Sequence, residues 1–167
     1  IAPDVNATHS NPAKLAFVKD PYGFGLSYSP WLQKLVPDIN LAYLNGYYKI
    51  DDEQAVAMSL RYFNLGEIQL TNISGDPLNT IRPKEYALDG TYSRKLSENL
   101  GIGVSARFIY SDISEDIGTA DASPGTSVAA DIGIYYNSNP NFVGNLSNIA
   151  FGAHISNIGR KLGYNDT

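Results

Sequence analysis

Ala55-Val56-Ala57-Met58-Ser59-Leu60-Arg61-Tyr62-Phe63 decides the architecture, because its side chains change character at almost every step. Successive side chains of an extended chain point to opposite faces, so Val56, Met58, Leu60 and Tyr62 share one face, and Ala57, Ser59 and Arg61 the other. The same period recurs in residues 102–111, where Ile102, Val104, Ala106, Phe108 and Tyr110 alternate with Gly103, Ser105, Arg107, Ile109 and Ser111. Residues 127–136 set Val128, Ala130, Ile132, Ile134 and Tyr136 against Ser127, Ala129, Asp131, Gly133 and Tyr135. Residues 23–30, 39–50, 86–96 and 148–158 continue the series. Seven strands of about 8–12 residues result, long enough to cross a bilayer at a tilt. Ordinary globular strands average only about 5–6.

The connections carry a second signal. Residues 51–54 and 97–99 are tight links, whereas residues 64–85 are long and rich in Asn, Gly, Pro and Asp, and residues 112–126 are long and carry Pro124-Gly125; residues 31–38 and 137–147 are intermediate. Short links therefore collect at one end of the strands and long ones mostly at the other. Outer-membrane barrels show this asymmetry, with short periplasmic turns and longer outside loops. A soluble sandwich has no reason to sort its loops by side.

The expectation is an all-β fold, an antiparallel up-and-down transmembrane β-barrel in the bacterial outer membrane. The N-terminus is placed in the periplasm and loops 31–38, 64–85 and 112–126 outside. The chain reads as a single domain over residues 1–167, with 1–22 a lead-in on the periplasmic or lumen side and 23–167 strands and loops. Single-chain bacterial barrels have even strand counts from about 8 upward. Strands beyond Thr167, or else another chain, are therefore expected to complete the wall, and the first is favoured.

Composition narrows the function classes. The chain is 43% hydrophobic and 17% charged, with 12 Tyr and 15 Gly. Tyrosine suits a membrane–water boundary, its ring in the apolar layer and its hydroxyl in water. No apolar run approaches the ~20 residues of a membrane helix. The absence of cysteine excludes disulfides, thiolate metal sites and cysteine nucleophiles. A net charge of −5 argues against a nucleic-acid partner, which needs a basic face to displace counterions.

On the inferred inner face, successive strands place Arg61, Asp89, Arg107, Asp131 and His154 at similar depth. Their signs alternate, so neighbours are positioned to pair in a lumen charge network; guiding a solute is the other use open to them. Such charges are cheap in a wet lumen and cost about 2–4 kcal/mol on a lipid face at the midplane. His154, Ser156 and Asp131 offer a set of hydrolase type, but it faces inward and no strained G-x-S-x-G turn accompanies it, so no catalytic residue is assigned. His9 and His154 are far apart, and Asp112, Glu115, Asp116 and Asp121 lack calcium-loop spacing; no metal or other cofactor is expected. Gly23 and Gly25 lack a third glycine and a following helix, and read as places where a strand bends. In loop 31–38 the single tryptophan, Trp31, stands with Leu32 and Leu35 between Pro30 and Pro37. These three are candidate partner-binding residues. The alternative sets Trp31 in an aromatic girdle with the leucines folded over the rim.

Asn11-Pro12-Ala13-Lys14-Leu15-Ala16-Phe17 resembles the Asn-Pro-Ala segment of the long-chain fatty-acid transporter superfamily. A longer set is more specific. It comprises Ser27-Tyr28-Ser29-Pro30-Trp31-Leu32, Asp38-Ile39-Asn40-Leu41-Ala42-Tyr43-Leu44, Gly46-Tyr47-Tyr48-Lys49, Ser59-Leu60-Arg61-Tyr62-Phe63-Asn64-Leu65-Gly66 and Ile155-Ser156-Asn157-Ile158-Gly159. Together these resemble the PorV/PorQ family, outer-membrane barrels of the type IX secretion system. The resemblance runs over nearly the whole chain and is weakest in the long loops. The family's leader and the segment before the Asn-Pro-Ala motif have no counterpart here, and the match ends about halfway through the family's barrel.

The resemblance implies a barrel of fatty-acid-transporter type with about 14 strands, inside the known range for such barrels. It further implies a component that binds the C-terminal domains of secreted cargo, docks beside the translocon barrel and delivers cargo to the surface sortase, in contact with outer-membrane lipid. No catalytic residue carries over. A channel for hydrophobic solutes is the alternative; it requires an apolar path, and the alternating inner charges favour the escort role.

Overall fold

The computed structural model describes residues 3–31, 38–113, 124–138 and 149–163. Its strands are β1 (Tyr22–Pro30), β2 (Asn40–Lys49), β3 (Gln54–Asn64), β4 (Ile68–Thr71), β5 (Pro77–Ile81), β6 (Lys84–Lys95), β7 (Leu100–Asp112), β8 (Gly125–Ser138) and β9 (Ile149–Gly159). The seven strands expected from alternation are all present, and they pair antiparallel in the order β1-β2-β3-β6-β7-β8-β9. The sheet is open, with β1 and β9 at its edges. No helix among the described residues is long and apolar enough to cross a membrane, which says nothing of a β-barrel. Two strands were not foreseen. Loop 64–85 contains a separate hairpin, β4 against β5. Its side chains are exposed on both faces except at Leu70 and Ile81, so no inside-outside alternation marks it.

Register holds without a slip from β1 to β8, and it lines up like residues across the sheet. Leu26 lies opposite Leu44, then come Leu60, Leu88, Phe108 and Val128, one unbroken apolar row over six strands. This face is turned outward: Phe24 is 82% exposed, Leu26 75% and Met58 64%. Towards the long loops, Tyr62, Tyr86 and Tyr110 stand side by side, with ring centroids 4.9 Å and 6.2 Å apart. Towards the short turns, Tyr22 faces Tyr48, Tyr92 follows across Val56, and Tyr136 stacks on Phe151 at 4.9 Å. Tyr86 and Tyr92 are separated by about 20 Å of strand. Soluble monomers rarely leave an apolar face of this breadth to water.

The inner face is the reverse. Asn45, Ser59, Asp89, Thr91, Ser93, Ser105, Ser111, Ser127 and Asp131 are all buried. Much of what buries them comes from the N-terminal segment, which forms a one-turn helix α1 (Ala7–Ser10) and a 3₁₀ helix (Pro12–Phe17). Pro12 suits the first turn, where its missing N–H would have no partner, and the Asn11 side chain caps the turn by accepting the Ala13 N–H at 3.0 Å. Leu15 and Val18 pack against Ala55, with Tyr47 and Ala57 around them, in a small apolar core. β1 pairs with β2 in unbroken register through Gly23 and Gly25. The two glycines make room: a Cβ on Gly23 would strike the Tyr47 ring, and one on Gly25 the Asn45 side chain.

Candidate functional site

Strand register decides which inner side chains meet. Asp89 on β6 lies opposite Arg107 on β7, and Asp131 on β8 sits one inward row nearer the short turns, opposite Ser105. Arg107 reaches both carboxylates: its Nε lies 2.5 Å from Asp89 Oδ1 and its Nη2 2.9 Å from Asp131 Oδ2. The Nη1 donates to Asn157 Oδ1 at 2.6 Å. The remaining carboxylate oxygens are used as well, Asp89 Oδ2 by the Ser59 hydroxyl at 3.0 Å and Asp131 Oδ1 by the Asn157 N–H at 2.7 Å. Asn157 has φ +58° and sits where β9 carries one residue more than β8. Its side chain and its amide thus tie a β-bulge to the ion cluster.

Of the five residues expected to form a charge network, the structure brings Asp89, Arg107 and Asp131 together. Arg61 stands one row towards the long loops, opposite Ala87, and among the described residues it bonds no carboxylate. Its Nη2 lies 3.2 Å from His9 Nδ1, and its guanidinium lies 5.6 Å from the Tyr43 ring centroid. His154 lies opposite Gly133, two rows towards the short turns from Asp89, and its buried Nε2 has no hydrogen-bond partner among the described residues. The Ser/His/Asp set is not assembled, since both oxygens of Asp131 are taken by other groups. Trp31 is 54% exposed; Leu32 and Leu35, like Glu115, Asp116 and Asp121, lie outside the described residues. Among the described residues, no group of three metal-ligating side chains occurs.

Sequence reasoning missed the groups that seat the N-terminal segment. Asn11 Nδ2 donates to the carbonyls of Ile134 (2.9 Å) and Ala153 (3.3 Å), bridging β8 and β9. Asn45 Nδ2 donates to Val5 O at 3.0 Å and Asn6 Oδ1 at 2.9 Å. Ser93 Oγ accepts the Ala16 N–H at 3.1 Å. Gly103 and Gly133 lie in the same row as Ser93, and a Cβ on either would run into Pro12–Ala13 backbone or Asn11. The only signal in the sequence was the run of small residues on the inner parity of β7 and β8, and alternation alone does not say what they accommodate.

Between this seat and the long loops lies a cup of about 340 Å³. Trp31, Leu41, Phe63, Ala87 and Ile109 give it apolar walls, while Arg61, Arg107, Asn157 and Glu85 add polar groups. It draws on residues from the end of β1 through to β9, so the sheet curls around it. Chemically, the inner face pairs a closed polar layer with an apolar recess on its long-loop side.

A family model described as Type IX secretion system protein PorV matches residues 1–167, the whole chain. No curated protein matches it.

Proposed function

The chain belongs to the PorV family of type IX secretion system proteins, and from that premise we propose that it is an outer-membrane barrel that holds the C-terminal domain of secreted cargo and escorts it from the translocon barrel to the surface sortase. In this reading the outward apolar rows meet hydrocarbon, the tyrosine rows mark its two boundaries, and the open sheet is part of a larger barrel wall. The long loops then face the outside, where Trp31 stands available to a partner. Leu32 and Leu35 are proposed to share that contact.

One observation supports the escort role over a conducting one: the N-terminal segment and a cluster of charges cover much of the inner face. The N-terminal segment lies across the inner wall, and beside it stands the Asp89–Arg107–Asp131 cluster, together a poor path for an apolar solute. A single observation favours the other reading, a channel for hydrophobic solutes, and that is the apolar cup.

Two measurements separate them. Detergent-solubilised full-length protein is expected to recover cargo C-terminal domains from solution, and Trp31→Ala to weaken that recovery about tenfold, as for an exposed aromatic anchor. A solute channel would recover none and would instead pass hydrophobic solutes into proteoliposomes. The membrane premise has its own test. Leu60→Arg puts a cation on the outward face close to the Tyr62 row, and should cost about 2 kcal/mol in a lipid-embedded barrel. A fold as stable as wild type in lipid vesicles would mean that this face does not meet hydrocarbon.

A further inference from the structure

We propose that His9 makes the tip of the N-terminal segment a pH-sensitive latch: neutral His9 docks α1 on the inner wall, and protonated His9 releases it while the 3₁₀ helix stays seated. The proposal needs only the docked segment seen here and is independent of the escort role.

The latch follows from donor and acceptor chemistry. A guanidinium carries five N–H donors and no acceptor. With Arg61 Nη2 only 3.2 Å from His9 Nδ1, that nitrogen must be the acceptor, so the docked ring is neutral and carries its proton on Nε2. A second proton on Nδ1 would set two donors and two positive charges against each other. Arg61 is also drawn to its place by the Tyr43 ring on β2, over which its guanidinium lies.

The surrounding charges do not rescue the cation. His9 faces Arg61 from β3, Asp89 from β6, Arg107 from β7 and Asp131 from β8. The two carboxylates are already engaged by Arg107, Ser59 and Asn157. His9 stays exposed on one side; the partial desolvation that docking imposes, and after it the nearby Arg61 and Arg107, outweigh the carboxylates and hold the imidazole below its ordinary range. The sign of the pH effect follows. The docked state binds fewer protons than the released one, so docking is at full strength above about pH 6.5, the ordinary imidazole value. It weakens as the pH falls below that, until the docked ring itself protonates.

The contacts divide the segment in two. Residues 5–9 are held by Asn45 and by the His9–Arg61 contact. Residues 11–17 are held by Asn11 on two strand carbonyls, by Ser93, and by close fit over Gly103 and Gly133. None of the latter is a titrating group, but His154 lines the recess beside Asn11, so the seat is read in a His154→Gln background, where acid should free the tip alone.

Hydrogen exchange on the full-length protein in detergent micelles, at pH 7.5 and 5.5 and corrected for intrinsic rates, tests this. The amides of Ala7, His9 and Asn11 bond the carbonyls of Asp4, Asn6 and Ala7 and report the tip. Those of Ala13, Ala16 and Val18 report the seat. Wild-type protein should lose protection at the tip on acidification, by at most about tenfold, the limit set by one pH unit below the ordinary imidazole value, with the seat unchanged in the His154→Gln background. His9→Gln keeps an acceptor for Arg61 but does not titrate, and should stay protected at both values. His9→Lys should be unprotected at both. A wild-type tip indifferent to pH, a His9→Gln tip that tracks wild type, or tip and seat opening together in the His154→Gln background would each overturn the latch.

Discussion

Replacing Arg107 with leucine is expected to lower the unfolding free energy by about 3–5 kcal/mol, the cost of removing one partner from a buried ion pair. The side chain of Arg107 is only 13% exposed, and those of its partners Asp89 and Asp131 are 7% and 3% exposed. The leucine would fill the space but leave two carboxylates facing one another across the vacated position, with only Ser59 and the Asn157 amide to stabilise them. A lysine at the site cannot recover the loss, because a point charge cannot reproduce a fork that bonds Asp89, Asp131 and Asn157 at once. Urea denaturation of the full-length protein in detergent checks this. Adding Asp89→Asn and Asp131→Asn to the leucine variant should restore most of the stability, because the neutral amides remove the repulsion. If the triple variant were no more stable than the single one, packing and not charge would be what Arg107 supplies.

Gly103→Val is expected to evict the N-terminal segment from the inner wall while leaving the sheet intact. A Cβ at Gly103 would overlap Ala13 N and the Pro12 carbonyl group, all backbone atoms that no rotamer change can clear. Overpacking typically costs about 1–3 kcal/mol, and a rigid neighbour places this case at the upper end, a shift of about a hundredfold in docking. Valine itself suits a strand, so β7 should keep its pairing. Gly90→Val is the matched control, since a Cβ there has nothing within 4 Å. Limited proteolysis reads the outcome: cleavage between residues 3 and 21 should accelerate in Gly103→Val and not in Gly90→Val. Equal resistance in both would show that the segment is not seated on the glycine row.

These two substitutions mark the boundary of what could be read in advance. Alternation was sufficient to place Arg107 and Asp89 on the inner face, and their opposite signs on consecutive long strands made a pairing foreseeable. Arg61 was equally visible but was assigned to the same ring, and the structure gives it to His9 instead. The slip is one of register: alternation gives the face of a residue but not its height along the neighbouring strand. The extra residue at Asn157 escaped for the same reason, since a bulge is defined only against the strand it pairs with.

What the sequence determined by itself is which side chains face out and which face in, strand after strand, because the two-residue period of extended backbone is a local property that needs no partner. Only the tertiary structure decided what the inner face is for. Asn11 reaches the carbonyls of Ile134 and Ala153, 123 and 142 residues further along the chain, over a row of glycines that make space for it. Contacts of that span depend on where seven strands have already come to rest, and no local pattern of side chains records that position.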